Sequence, residues 1–162
     1  MARYAGEYAE VFTVRAPLDK VAAHYGDLDA IARNYGTLEK FNKVDDRTLH
    51  FVLLPRSEKG ITFKGEYTCR YTFPSPNVLE WSTVTTRNLW STGRAVFSDA
   101  GAGTTRVDYR QKMEAEMEVG MLLAKLAGPI VSFQIREGVK SYVQRMARDI
   151  DCLLYTSPSP RD

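Results

Sequence analysis

Residues 118–151 read EVGMLLAKLAGPIVSFQIREGVKSYVQRMARDID, and they are the one stretch long and periodic enough to make a dominant helix. Apolar residues recur three or four apart at Leu122, Leu126, Ile130 and Phe133, then at Ile135, Val139, Tyr142, Met146 and Ile150. That is the spacing of a stripe buried along one helical face. Arg136, Glu137, Lys140, Arg145, Arg148 and Asp149 mark the outer side of the second half. Proline lacks a backbone donor and its ring crowds the preceding turn, so Gly128-Pro129 predicts a bend or a restart. On that expectation the apolar segment 119–126 reaches a cavity mouth, while the later stripe fills the base of a sheet.

Everything upstream reads as strands apart from two short helices. Residues 10–15 alternate, with Phe12 and Val14 on one face. Pro17 suits the first position of a helix that buries Leu18, Val21, Ala22 and Tyr25. Gly26 ends that helix, Asp27 caps a second over residues 28–34, and Tyr35-Gly36 stops it. Strands 38–44 and 48–54 flank the turn Asp45-Asp46-Arg47, and residues 55–60 form an exposed loop. Residues 61–73 carry the cleanest period-two pattern, followed by strands 78–84, 89–98 and 105–117. Short connections make this meander antiparallel. The fold class is α+β: a curved antiparallel sheet wrapped around one long C-terminal helix, with two short helices after strand one. Such a sheet can close around the helix and leave a cavity.

Length and composition narrow the function classes. With 162 residues, 44% of them hydrophobic, the chain fits a single domain with its own core over residues 1–151. Lys and Arg total 22 against 20 Asp and Glu; the signs are interspersed, so no nucleic-acid stripe or membrane patch stands out. No apolar run is long enough to span a membrane, and the first residues lack the apolar core of a signal peptide, which predicts a cytoplasmic protein. Residues 152–162, CLLYTSPSPRD, break the composition before them and match one reading frame of a common sequencing-library adapter, codon for codon. They are read as an artefact tail and set aside from fold reasoning, with the helix ending near Leu154. Cys69 is then the one remaining cysteine, and no disulfide forms within the native part.

The order of elements resembles the helix-grip fold of the START-like superfamily, also called SRPBCC, which holds Bet v 1-like proteins, polyketide cyclases and dehydrases, and lipid-transport proteins. The residues that carry the resemblance are FTVRAPLDKV at 12–21 with Asp27 after the first helix, GAGTTRV at 101–107 entering the last strand, and the long helix. Members hold small apolar molecules between sheet and terminal helix. The resemblance therefore implies binding or transport of a small hydrophobic ligand; no cofactor is assigned.

The inner faces name candidate contacts. Alternation sets Phe63, Tyr67 and Tyr71 on the side shared with Trp81 and with Tyr109, Gln111 and Met113, facing Leu126, Ile130 and Phe133 of the helix. A few convergent polar groups in an apolar wall are typical of ligand pockets of about 300 to 1,000 Å³. The plainer reading is a filled core in which the phenols bond to one another. No catalytic residue and no metal ligand is assigned: His24 and His50 lack partner motifs, Asp45-Asp46 is explained by a turn, and Cys69 reads as buried and inert. Three function classes stay open at this point: an apolar-ligand carrier, a polyketide cyclase or dehydrase, and a protein-interaction module whose cavity is vestigial. Removing residues 155–162 is expected to shift the melting temperature by no more than a few degrees. A larger fall measured by scanning calorimetry would make the tail part of the native fold.

Overall fold

Side-chain alternation decides which face of each strand is buried. The computed structural model describes residues 1–156, with side chains through residue 150. The chain runs β1 (Ala2–Val14), α1 (Leu18–Tyr25), α2 (Leu28–Tyr35), β2 (Leu38–Asp45), β3 (Thr48–Leu53), β4 (Arg56–Glu58), β5 (Ile61–Phe63), β6 (Glu66–Ser75), β7 (Val78–Thr86), β8 (Leu89–Gly101), β9 (Thr104–Met117) and α3 (Met121–Thr156). Seven strands form one antiparallel sheet in the order β1-β9-β8-β7-β6-β3-β2, and β4 and β5 form a separate hairpin. The first and last strands pair along their whole length, from Ala2 opposite Met117 to Val14 opposite Thr105. On β9, Val107, Tyr109, Met113, Ala115 and Met117 are buried while Arg106, Arg110 and Lys112 are exposed, so one face is covered and one is wet.

Several expectations shift. The first strand begins at Ala2 rather than residue 10, because small residues and glycine at its start hide the alternation. The expected strand 61–73 is broken at Lys64-Gly65: its first three residues pair with β4, inside the expected loop, and only β6 joins the main sheet. The long helix continues unbroken through Pro129. It runs to Thr156, and the rest of the proposed tail lies outside the described residues.

The larger correction concerns helical phase. Leu122 is 94% exposed, Leu126 59% and Phe133 52%, while Ala127, Val131, Val139, Val143, Met146 and Ile150 are buried. The fully buried stripe of α3 therefore starts at Ala127; in the segment 119–126 Val119 packs against the core, while Met121, Leu122 and Leu126 face outward, contrary to expectation. Both flanks of residues 119–133 are apolar, so spacing alone could not choose between them. Ala127 and Val131 hold the inward positions because they are small enough to let the helix approach the sheet.

The two short helices close one end. Asp27 caps α2 by accepting from the Asp29 amide at 3.0 Å, and Gly36 terminates α2 in the left-handed region. A polar clasp then ties both helices to α3. Asp149 accepts from Arg33 Nη2 at 2.6 Å and from Asn34 Nδ2 at 2.9 Å. Buried His24 donates from Nε2 to the Met146 carbonyl at 3.2 Å, with Asp149 Oδ2 3.7 Å away. Asp45 accepts from the Arg47 amide at 2.8 Å and serves its turn.

Burial pulls the His24 imidazole below its ordinary value of 6.5, with Asp149 resisting. Burial acts to raise the Asp149 carboxyl, yet the Arg33 and Asn34 hydrogen bonds hold it lower. Because His24 binds a proton less readily folded than unfolded, its contribution is intact above about 6.5 and declines as pH falls toward the folded value. Asp149 acts lower, where stability declines as pH drops through its depressed folded value. The melting temperature is expected to fall between about pH 7 and pH 5.5, and His24→Gln, which lacks the titrating group, to flatten that slope. Identical pH profiles for the two proteins would contradict this assignment.

Candidate ligand-binding cavity

The position of α3 on the sheet determines the interior. Gly6 of β1 has no Cβ; one placed there would lie 2.6 Å from Ile135 Cβ and 2.9 Å from the Ser132 carbonyl oxygen. Ser132 Oγ also donates to the Ala5 carbonyl. The helix thus packs hard along β1, at one edge of the sheet, and not along β2 or β3 at the other. The space left between them is a cavity of about 650 Å³, within the range common for small-ligand sites.

Its wall is aromatic and aliphatic. Trp81 lies against Gly93 of the next strand, where a Cβ would fall 2.1 Å from the indole Cζ2. The indole stacks on Tyr71 at 6.0 Å and tilts against Tyr109 at 5.3 Å. On the β3 side, Tyr67 stacks on Phe51 at 4.8 Å and Tyr35 of α2 meets the same ring at 4.9 Å. Such ring pairs add packing energy beyond the area they bury.

Neutral polar groups are set into that wall. The Tyr35 and Tyr67 hydroxyls are 2.8 Å apart. Tyr109 donates to Gln111 Oε1 at 2.6 Å, and Gln111 Nε2 donates to Ser91 Oγ at 3.0 Å. Burial pushes the hydroxyls of Tyr67, Tyr71, Tyr109 and Tyr142 well above the ordinary phenol value. These phenols stay protonated and act as hydrogen-bond donors, not as bases. The buried Tyr25 hydroxyl has no hydrogen-bond partner among the described residues. Burial also pushes the Cys69 thiol up to about 12, which removes it as a nucleophile. His50 lies 3.2 Å from Glu66 on the partly exposed side.

Phe63, Tyr67, Tyr71, Trp81, Tyr109, Gln111, Met113 and Ile130 all line this cavity, whereas Leu126 and Phe133 do not. Phe63 arrives from the separate β4–β5 hairpin and not from the strand that carries Tyr67. Sequence reasoning passed over Tyr25, Tyr35, Tyr142 and Arg145, which also line it. Tyr25 and Tyr142 lie on buried helical stripes, where spacing says nothing of a hydroxyl's partners, and Tyr35 stands at a helix end; Arg145, expected on the outer side of α3, is half-buried instead. Among the lining residues, Gly36, Thr37, Leu54 and Pro55 on one side and Gly138 of α3 on the other are exposed, with Gln134 and Ser141 half-buried beside Gly138, and these mark the rim. At the hairpin end, Gln134 Nε2 donates to Glu58.

No protein-family model matches the sequence, and no curated protein matches it. Solved structures match its fold. TTHA0849 from Thermus thermophilus superposes with a TM-score of 0.70 at 17% identity, over 93% of this chain and 99% of that one. The Zhui aromatase/cyclase from Streptomyces sp. R1128 gives 0.69 at 12% identity, over 91% and 94%. A START superfamily protein from Mycobacterium smegmatis gives 0.60 at 13%, over 89% and 98%. At such identities the likeness is one of fold: the chain has the helix-grip architecture of START-like proteins.

Gly93→Ala is expected to destabilise the protein by about 1 to 3 kcal/mol, since the new methyl must displace the Trp81 ring from the wall. Thermal unfolding with near-ultraviolet circular dichroism checks this, and an unchanged melting temperature and indole signal would contradict it.

Proposed function

We propose that the protein binds a small, largely apolar, ring-bearing molecule between sheet and α3. The observation that carries this reading is the 650 Å³ cavity itself. Protein interiors normally pack to crystal-like density, and unfilled volume forgoes dispersion contacts, so a void of this size costs stability unless a ligand fills it. The wall composition supports a ring system: aromatic faces from Tyr67, Tyr71, Trp81 and Tyr109 offer flat contact, and protonated phenols offer donors to carbonyl or hydroxyl oxygens. A protein-interaction module with a vestigial interior calls instead for a filled core. The cytoplasmic location expected from the sequence is compatible with the described residues, where no helix is long and apolar enough to cross a membrane.

A second reading draws on the paired Tyr35 and Tyr67 hydroxyls. One hydroxyl of the pair donates to the other, which leaves the second free to donate its proton to a ligand oxygen and stabilise an enolate, as a cyclase or dehydrase requires. The Streptomyces protein of the same fold is an aromatase/cyclase. Turnover separates this from simple carriage.

Titration with pyrene, whose emission reports the polarity around it, is the direct experiment. Saturable binding with an apolar emission signature is expected, and its absence at all concentrations would remove the container reading. Tyr109→Phe should leave pyrene binding nearly unchanged. It should weaken pyrene-1-carboxaldehyde, which adds a carbonyl acceptor, by about 0.5 to 1.5 kcal/mol if that hydroxyl turns to the ligand. Equal affinity of both proteins for the aldehyde would exclude Tyr109 from ligand recognition.

A further inference from the structure

The charged side chains that line the cavity are unequal. Arg56 lies 3.8 Å from Glu58, which also accepts from Gln134, and Glu137 is exposed to solvent. Arg145 is different. It is partly buried, it lines the cavity beside Gly36, and among the described residues no carboxylate forms an ion pair with it. Arg148, three residues on, adds a like charge rather than a compensating one.

What holds Arg145 in place is the end of α2. Its Nε donates to the Asn34 carbonyl at 2.7 Å and its Nη2 to the Tyr35 carbonyl at 2.9 Å. These are last-turn carbonyls, which lack helical partners and carry the negative end of the helix dipole. A Cβ at Gly36 would come within 2.6 Å of Nη2, so the glycine there leaves room for the guanidinium plane. A helix-clamping arginine accounts for these two bonds. It does not account for a cation at the cavity rim whose remaining N–H groups have no acceptor among the described residues, on a side chain that carries a forked set of donors.

The face of α3 leading to it is polar and small. Gln134, Gly138, Ser141 and Arg145 recur three or four residues apart, and all line the cavity. A Cβ added at Gly138 would meet nothing within 4 Å, which shows open space at the middle of that face. Glycine inside a helix costs about 1 kcal/mol relative to alanine, and here it keeps the rim clear.

We infer that the ligand carries an anionic group, a carboxylate or its equivalent, which lies at the rim against Arg145 and Ser141 while its apolar body fills the cavity. This rests on the ligand-cavity reading above. Arg145 is then the residue that selects acids over neutral analogues. The guanidinium is already ordered by the α2 carbonyls, so little side-chain freedom is lost when it takes up an anion. A hydrogen bond to a charged group is also worth more than one between neutral groups.

The test compares pyrene-1-carboxylate with pyrene-1-carboxamide, two ligands of equal shape, by fluorescence titration at pH 7.5. The wild-type protein is expected to bind the acid at least about tenfold more tightly than the amide, with the ratio shrinking as salt is raised. Arg145→Gln should bring the ratio to near unity, and Arg145→Lys should keep part of it. Ser141→Glu provides a variant that leaves the α2 clamp in place: a glutamate four residues before an arginine pairs with it along the helix, and the acid preference should be lost. If Arg145→Gln does not fold, Ser141→Glu and the wild-type ratio decide the matter. A wild-type protein that binds both ligands equally, or prefers the amide, overturns the inference while leaving the cavity reading intact. An acid preference that survives Arg145→Gln or Ser141→Glu overturns the assignment to Arg145. Equal weakening of both ligands in Arg145→Gln would show a structural role only. Failure of both ligands and of pyrene itself would overturn the cavity reading, and this inference with it.

Discussion

The close contact between α3 and β1 sets the rest of the structure. A helix laid centrally over a sheet would bury the face beneath it and leave nothing to bind. Here Gly6 lets the helix backbone at Ser132 and the Ile135 side chain come within distances that a Cβ would forbid. The helix therefore sits toward one edge. Because β1 is paired along its whole length with β9, the contact fixes α3 relative to the strand that supplies Tyr109, Gln111 and Met113. The interior on the β3 and β6 side is left unfilled as a geometric consequence. Larger inward residues in place of Ala127 or Val131 would push the helix off this position, and Leu122 and Leu126 face outward instead.

A second constraint keeps that interior neutral. Six tyrosines, Tyr25, Tyr35, Tyr67, Tyr71, Tyr109 and Tyr142, line a space where an ionised group would be heavily penalised. Their hydroxyls are held protonated by burial, so the wall supplies donors without supplying charge. Formal charge is confined to the rim and to the closed end, where His24, Arg33, Asn34 and Asp149 tie α1 and α2 to α3. This division leaves one end of the helix anchored by ionic and hydrogen-bonded contacts. The other end, with Met121 and Leu122 exposed, has no comparable hold among the described residues.

The sequence was legible where one residue type had one reason to be where it is. Arg106, Arg110 and Lys112 alternate with Val107, Tyr109 and Met113, and a register slip would bury three cations, so β9 could be assigned from pattern alone. Asp27 and Gly36 mark the ends of α2 for equally local reasons. Legibility failed where two faces were equally apolar, as on α3 before Ile135, since phase then depends on how near the sheet can come. It failed again at Lys64-Gly65, where the alternation of Ile61, Phe63 and Tyr67 continues unbroken through a change of partner strand. In the candidate site, the strand residues could be placed because period two fixes their side. Tyr35 and Arg145 could not, because their roles depend on a contact between α2 and α3 that no spacing encodes.

The central claim is that the space between sheet and helix is a void available to a ligand, and filling it from within tests that most directly. Ala115 of β9 is buried and lines the cavity, so Ala115→Leu adds methyl groups into it from a fixed strand. Thermal unfolding and pyrene titration are measured on the same protein. A void predicts a melting temperature equal to or above that of the parent together with loss of most pyrene affinity, since the added side chain gains contacts and occupies the site. A packed interior predicts overpacking, with destabilisation of about 1 to 3 kcal/mol; that result, with pyrene binding unchanged, would contradict the account.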